Sequence, residues 1–301
     1  MKVSMPTFFH HRPAGLLGRY VESFWYRPAT ALGADTGMLV LPGGRAEFVI
    51  SLDGAPQTSW TDLERGGLRS KLHHATVRLP NCAPVATALS GRGGAFGVAL
   101  KPHGLRRFTR ADLGNVESGM AALEQVWGSR ADELVERLAE APTPASKFAL
   151  METLLWNRLY EPHRAYRQVE RAAALLSDPF AVRSVDSVAG EVGLSPRRLL
   201  DVFRQDVGLT PKTFARVMRF GAALRLVRAT GPTRWTDVAA MCNYFDQAHL
   251  VREFRVLAGM APTTYIERRT AGHANCLPWD PPKVTDLSRL DDREHRVPAF
   301  T

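Results

Sequence analysis

Two runs of the sequence place arginines at helical spacing. At about 100° per residue, Arg197, Asp201 and Arg204 fall on one face of a helix. Arg252 and Arg255 share a face in the same way further along the chain. Arginine binds guanine edges and phosphates in duplex DNA, so both faces are candidate DNA-reading surfaces. On an isolated helix, such arginines would be better explained as ordinary solvated surface residues. The elements around the two runs therefore decide between a DNA-binding face and a merely solvated one.

Both runs lie inside an internal repeat, whose two copies match in order and in side-chain chemistry. The first copy holds Val188, Ala189, Gly193, Ser195, Leu199, Phe203, Gly208, Leu209 and Pro211, and the second holds Val238, Ala239, Asn243, Asp246, Leu250, Phe254, Gly259, Met260 and Pro262. The offset between copies is 50 residues as far as Asn243 and 51 from Asp246 onward, which indicates one inserted residue at the turn.

Each copy predicts a helix-turn-helix. The first helix ends at Gly193 or Asn243, two residue types that tolerate a left-handed backbone. Ser195 and Asp246 then provide N-caps for the second helix, which we call the reading helix. The apolar residues of each reading helix have helical spacing and are predicted to be buried. They are Leu199, Val202 and Phe203 in the first copy, and Leu250, Phe254 and Leu257 in the second.

A long helix is predicted between the copies, capped by Thr210, started by Pro211 and reaching to about Thr230. Its apolar positions are expected to pack on both copies, and they are Val217, Phe220, Leu224 and Val227. Some twenty residues at 1.5 Å rise span ~30 Å, close to the ~34 Å between successive major grooves on one face of DNA. Such a spacer would present two reading helices to adjacent turns of a duplex.

At these residues the sequence resembles the AraC/XylS family of bacterial transcription regulators, over roughly residues 164–270. It departs from the family pattern at Asn243, where glycine is usual, and at Leu250, where an aromatic residue is usual. The resemblance implies two helix-turn-helix modules with both reading helices in the major groove. At the matching positions, the resemblance implies that the DNA-reading residues are Arg197, Leu200, Asp201, Gln247, Ala248, His249 and Arg252. With the neighbouring arginines, the predicted DNA interface is Arg197, Arg198, Leu200, Asp201, Arg204, Gln247, Ala248, His249, Arg252 and Arg255.

The N-terminal part is predicted to be β-rich, because short apolar runs such as 47–52 and 95–100 are bounded by Gly and Pro. Helical spacing begins at about residue 119. The predicted fold class is therefore α+β. We expect a β-rich domain with C-terminal helices over 1–160, similar to domains that sense a small molecule or dimerise. The helix-turn-helix domain spans 161–271, and a largely unstructured tail covers 272–301.

Composition narrows the function classes. The chain of 301 residues is 45% hydrophobic and 23% charged, and it lacks an apolar run long enough to span a membrane. No secretion signal is evident, and three scattered cysteines suit a reducing compartment, so we expect a cytoplasmic location. The net charge is +9, and residues 161–270 hold 17 Lys and Arg against 11 Asp and Glu. This bias favours a polyanionic partner, with double-stranded DNA the first candidate.

The favoured hypothesis is a sequence-specific transcription regulator controlled by an unidentified small molecule, without enzymatic activity and without a predicted cofactor or metal. RNA polymerase and a second copy of the chain are further candidate partners, and activation or repression is left open. One alternative is an enzyme or thiol-based sensor in the N-terminal part, using Cys82 or His103, with an accessory DNA-binding module. Another is a non-specific architectural DNA binder, whose binding would depend steeply on salt.

Overall fold

The α+β fold class is confirmed by the computed structural model, which has a β-rich N-terminal region followed by a helical C-terminal region. The structure describes residues 8–29, 37–55, 57–61, 68–71, 73–89, 93–111, 119–181, 183–230, 234–269 and 276–279.

Eleven strands within these ranges form two antiparallel sheets. The strands are β1 (Phe9–His11), β2 (Val21–Arg27), β3 (Gly37–Val40), β4 (Glu47–Ser51), β5 (Gln57–Thr61), β6 (Leu68–Lys71), β7 (Ala75–Arg78), β8 (Val85–Leu89), β9 (Ala95–Leu100), β10 (Met120–Ala122) and β11 (Cys276–Trp279). The first sheet has the order β1-β2-β9-β4-β7-β10, and the second has the order β11-β3-β8-β5-β6. The strands predicted around residues 47–52 and 95–100 are β4 and β9.

Alternation along the strands sorts side chains between the two faces of the first sheet. Phe48 and Phe96 are fully buried against the helices that follow the sheets. On the opposite face of β9, Gly97 has no side chain, and a Cβ added there would lie 2.0 Å from Cε2 of Trp25. The indole therefore lies directly on the β9 backbone, and its Nε1 donates a hydrogen bond to Oε1 of Glu47 at 2.7 Å.

Ten helices follow in the described chain, and they build the rest of the fold. They are α1 (Leu123–Trp127), α2 (Arg130–Glu140), α3 (Pro144–Asn157), α4 (Tyr166–Ser177), α5 (Val185–Glu191), α6 (Pro196–Val207), α7 (Pro211–Thr230), α8 (Trp235–Met241), α9 (Gln247–Ala258) and α10 (Pro262–Arg268). Helices α1 to α3 cover the first sheet and share its core. Helices α4 to α10 form a second core, which also includes Leu39, Leu41, Ala86 and Ala88 from the second sheet and its flank. Apolar packing thus joins the β-rich region to the helical region.

Two predictions about the region boundaries need correction. Residues 120–122, expected to be helical, form β10 and pair with β7, because three consecutive buried residues complete the edge of the first sheet. Within the predicted unstructured tail, Cys276–Trp279 forms β11 and pairs with β3, so that Cys276 lies opposite Val40. Leu277 is buried in the shared core, which stabilises this short strand. The other residues of the predicted tail lie outside the described residues.

Within the described chain, none of the helices is both long enough and apolar enough to cross a membrane.

Candidate nucleic-acid interface

The first module consists of α5, a tight turn and the reading helix α6. Gly193 occupies the predicted left-handed conformation with φ of 72°. Ser195 caps α6, because its side chain accepts a hydrogen bond from the backbone N–H of Arg198 at 3.2 Å. Gly208 ends the helix in a left-handed conformation with φ of 84°. Turn and cap together fix the direction in which α6 leaves α5.

The second module, α8 to α9, is built in the same way with different residues. Asn243 has φ of 53° and is the one described non-glycine residue with a positive φ. Its side-chain Nδ2 donates a hydrogen bond to the carbonyl oxygen of Pro179 at 2.7 Å, which ties the turn to the segment between α4 and α5. Asp246 caps α9 by accepting from the backbone N–H of His249 at 2.5 Å. The substitution of asparagine for glycine therefore adds a tertiary contact to a local turn.

The inner faces of the two reading helices are buried as predicted. Leu199 and Phe203 are inaccessible to solvent, and so are Leu250 and Phe254. The ring of Phe203 meets Phe214 edge-on at 5.3 Å between centroids. In the second module the ring of Phe254 meets Phe220 edge-on at 5.1 Å. Both Phe214 and Phe220 lie on α7, so the long helix packs against both modules.

Helix α7 has the predicted length of 20 residues and buries Val217, Phe220, Leu224 and Val227. It is also tied to the second module by polar contacts. Arg216 forms an ion pair with Glu253 of α9, and the guanidinium of Arg219 lies 5.7 Å from the ring centroid of Tyr244. These contacts restrict how α9 can move relative to α7, which supports a stiff spacer.

The outer faces carry the predicted DNA interface, and nine of its ten residues are exposed. The exposed residues are Arg197, Arg198, Leu200, Asp201, Arg204, Gln247, Ala248, Arg252 and Arg255. Leu200 retains 41% of its accessible surface although it is apolar. The structure therefore brings the predicted residues together as one solvent-facing surface on each reading helix.

The arginines of these surfaces differ from their neighbours in their ion pairing. Within the described residues, Arg197, Arg198, Arg204, Arg252 and Arg255 have no carboxylate within 4.0 Å. By contrast, three arginines elsewhere in the helical region are paired: Arg171 and Arg183 with Glu191, and Arg216 with Glu253. The charges of these five arginines are thus not taken up in ion pairs within the described residues, which is the state expected of side chains that meet phosphates.

His249 is the exception in the predicted interface, because it is half-buried and serves the local structure. Its Nδ1 lies 3.4 Å from the backbone N–H of Phe245, which donates to it, and its ring meets Tyr244 edge-on at 5.5 Å. The imidazole is therefore part of the cap at the start of α9. The sequence did not indicate this role, although its position three residues after the N-cap Asp246 is where a capping box is completed.

The loop 80–84 of the N-terminal region lies close to the ends of both reading helices. A Cβ added at Gly208 would lie 3.7 Å from Cδ of Pro80, and one added at Gly259 would lie 3.4 Å from Cγ of Pro84. Gly208 and Gly259 terminate α6 and α9, respectively. One loop of the β-rich region thus lies beside the C-terminal ends of both reading helices.

The two candidate residues of the enzymatic alternative, Cys82 and His103, differ in their exposure to solvent. Cys82 is exposed on the loop 80–84. His103 is buried, and its Nε2 lies 3.3 Å from the carbonyl oxygen of Arg19 and 3.6 Å from the carboxylate of Glu170. Burial lowers the pKa of His103 and favours its neutral form. Among the residues that the structure describes, no group of three or more His, Cys, Asp and Glu is arranged to hold a metal ion.

Comparison with known families covers both regions of the chain. Residues 188–268 match a family described as a helix-turn-helix domain, and this range includes both modules. Residues 9–118 match a domain of unknown function, DUF6597. No curated protein matches the chain. The resemblance to AraC/XylS regulators is confirmed for the C-terminal region, which carries an AraC-type helix-turn-helix domain.

Several solved structures are similar to this chain at low sequence identity. ToxT from Vibrio cholerae O395 is 12% identical with a TM-score of 0.46, and the match covers 83% of this chain and 100% of that one. Unsaturated fatty acid-bound ToxT from Vibrio cholerae strain SCE256 is 10% identical with a TM-score of 0.45, covering 90% and 99%. A probable AraC family transcriptional regulator from Rhodopseudomonas palustris CGA009 is 22% identical with a TM-score of 0.31, covering 34% and 96%.

Proposed function

We propose that this protein is a sequence-specific transcription regulator that binds double-stranded DNA through two reading helices, α6 and α9. The observation that carries the proposal is the set of unpaired, exposed arginines on both helices, at Arg197, Arg198, Arg204, Arg252 and Arg255. In helix-turn-helix proteins the N-terminal part of such a helix contacts base edges in the major groove. Arginine there reads guanine, and Gln247 offers an amide that can pair with adenine.

The two half-sites of the DNA are proposed to lie one helical turn apart. The 20 residues of α7 correspond to ~30 Å at 1.5 Å rise per residue, near the ~34 Å repeat of the major groove on one face of the duplex. Contacts from α7 to both modules support a fixed spacing. RNA polymerase and a second copy of the chain remain proposed partners, and the proposed location is the cytoplasm.

Control by a small molecule is the second part of the proposal, with the domain boundary placed between residues 160 and 161. The β-rich region shares a core with the helical region, and its loop 80–84 lies beside the ends of α6 and α9. A ligand that changes the β-rich region would therefore change how the reading helices are held. We assign this region a sensing role rather than a catalytic one.

Selection of duplexes from a randomised library by the full-length chain tests the DNA-binding part. We expect enrichment of one sequence with two half-sites separated by about one turn, bound ~10³-fold or more tightly than random duplex at physiological salt. Retention of all sequences alike, with steep salt dependence, would instead identify a non-specific binder.

Thermal unfolding of the full-length chain against a metabolite panel tests the sensing part. A true effector should raise the melting temperature in a concentration-dependent way and change the affinity for the selected duplex. A stabilising compound that leaves DNA affinity unchanged would separate ligand binding from regulation and contradict this part.

A further inference from the structure

Phe245 is the most exposed large hydrophobic side chain in the described chain, with 91% of its surface accessible. Single exposed apolar residues are common on protein surfaces. Phe245 differs from such a residue in its position, since it directly precedes the N-cap Asp246 of the reading helix α9. This is the end of a reading helix that faces base edges when a helix-turn-helix docks on DNA.

Phe245 is also the residue by which the two modules differ in length. In the first module the backbone N–H of Leu194 bonds the carbonyl oxygen of Ala189, and the cap Ser195 follows at once. In the second module Tyr244 makes the equivalent bond to the carbonyl oxygen of Ala239, and Phe245 stands between Tyr244 and the cap. Phe245 is therefore the inserted residue that the repeat indicates, and the helix-turn-helix frame forms in the first module without it.

The backbone around Phe245 is held in place although its side chain is not packed. The N–H of Phe245 donates to Nδ1 of His249 at 3.4 Å, and the N–H of His249 donates to Oδ1 of Asp246 at 2.5 Å. The His249 ring rests edge-on against buried Tyr244. These contacts fix the direction in which the Phe245 side chain leaves the turn, so that docking on DNA has little backbone entropy to remove. His249 acts here as a positioning residue.

We propose that Phe245 is a specificity-determining residue that packs its phenyl ring against the 5-methyl group of a thymine at the edge of the half-site read by α9. This inference rests on the proposed DNA-binding function and adds a residue to its interface. A phenyl ring offers no hydrogen-bond donor or acceptor to base edges, and the thymine methyl is the apolar group that B-DNA presents in the major groove. Gln247 and Arg252 would read polar edges beside it.

The test compares the full-length chain with the variants Phe245→Ala and Val256→Ala on the duplex that the wild-type chain selects. Val256 is a matched control, because it is 57% exposed and apolar but lies near the opposite end of α9. We expect Phe245→Ala to weaken binding of the selected duplex about tenfold through loss of an apolar base contact, with binding of random duplex and the melting temperature unchanged. Val256→Ala should leave all three quantities unchanged.

Replacing single thymines of the selected duplex by deoxyuridine then identifies the contact, since only the 5-methyl group is lost. One replacement should weaken wild-type binding about fourfold, as expected for one buried methyl group, and should not affect Phe245→Ala. The inference is overturned if Phe245→Ala binds as wild type, as a protein-docking residue would. It is also overturned if the loss is equal on random duplex, or if every thymine replacement affects both proteins equally. Failure of the wild-type chain to select any sequence would instead refute the proposed function.

Discussion

The two helix-turn-helix modules share a frame but are anchored to different neighbours. Both have a left-handed turn, a capped reading helix and a buried phenylalanine that packs on α7. The first module buries Asp206 of α6, whose Oδ2 lies 2.7 Å from Nε2 of His163 in the segment before α4. The second module pairs Glu253 of α9 with Arg216 of α7.

This difference indicates how the modules could be controlled separately. Besides His163, Asp206 faces Arg106 of the β-rich region, with 4.0 Å between Arg106 Nε and Asp206 Oδ1. The first module is thus linked electrostatically to the N-terminal region and the connecting segment, whereas the second is linked to the spacer helix. The repeated residues specify the helix-turn-helix geometry of each module. Residues outside the repeated positions specify which neighbouring part of the protein each module contacts.

The largest expected effect tests whether the frames are equivalent. Phe203→Ala and Phe254→Ala should each lower the free energy of unfolding by ~3–5 kcal/mol, because each removes a buried ring from the helical core. Urea denaturation measures this, with exposed Val256→Ala as the control, which should change stability by less than ~0.5 kcal/mol. A large loss in one module and a small loss in the other would show that the frames are not equivalent.

The next effect concerns the anchor of the first module. His163→Ala should lower the free energy of unfolding by ~1–3 kcal/mol, because it leaves the buried Asp206 carboxylate without its hydrogen-bond donor. Arg183→Ala, which breaks an ion pair with half-exposed Glu191, should cost less than ~1 kcal/mol and serves as the control. Equal losses in the two variants would argue against the anchor.

The same anchor predicts a pH dependence. Burial raises the pKa of Asp206, whereas the hydrogen bond from His163 acts to lower it. In His163→Ala the folded state therefore binds a proton more readily than the unfolded state, so stability should fall as pH rises through the window between the unfolded and folded pKa values of Asp206. Adding Asp206→Asn should remove this fall. Persistence of the fall in the double variant would assign it to another group.

The loss of DNA affinity on substitution of one arginine in each reading helix compares the two exposed faces directly. Arg197→Ala and Arg252→Ala should each weaken binding of the selected duplex by ~1–3 kcal/mol if the side chain reads a base. Titration of fluorescent duplexes measures this, and random duplex provides the control. Equal losses on both duplexes would assign these arginines to phosphate contact rather than base reading.

The smallest expected effect lies at the turns. Asn243→Gly loses the hydrogen bond to Pro179, worth ~0.5–1.5 kcal/mol, but relieves a positive φ that glycine adopts freely. The net change in the free energy of unfolding should therefore be below ~1 kcal/mol. Asn243→Ala removes the bond and keeps the unfavourable φ, so it should be clearly less stable than Asn243→Gly in the same urea titration.

The sequence predicted most of the helical region, because turns and caps depend on local chemistry. Gly193 and Asn243 predicted the two turns, and the helical spacing of apolar residues predicted the buried faces of the reading helices. The pairing of β11 with β3 was not predictable in this way, since it joins segments more than two hundred residues apart and has no periodicity of its own. The burial of Asp206 was missed for the same reason, because its partner His163 is 43 residues away in the sequence.

The ten predicted interface residues stay a prediction until DNA is bound, but nine of them have the exposure that the prediction needs. His249 shows the limit of positional reasoning. Its place on the helix predicted a DNA contact, whereas its Nδ1 accepts a hydrogen bond from the backbone N–H of Phe245 that the sequence did not indicate. For Phe245 the structure adds a candidate instead of removing one. The repeat indicated an inserted residue at the turn, and the exposure of the Phe245 side chain makes it a candidate DNA contact.

Hydroxyl-radical footprinting of the full-length chain on the selected duplex tests the two-reader arrangement most directly. Two protected windows should appear on one face of the duplex, centred about one helical turn apart. Arg197→Ala should weaken protection mainly in one window, and Arg252→Ala mainly in the other. A single window that both substitutions weaken together would contradict the account.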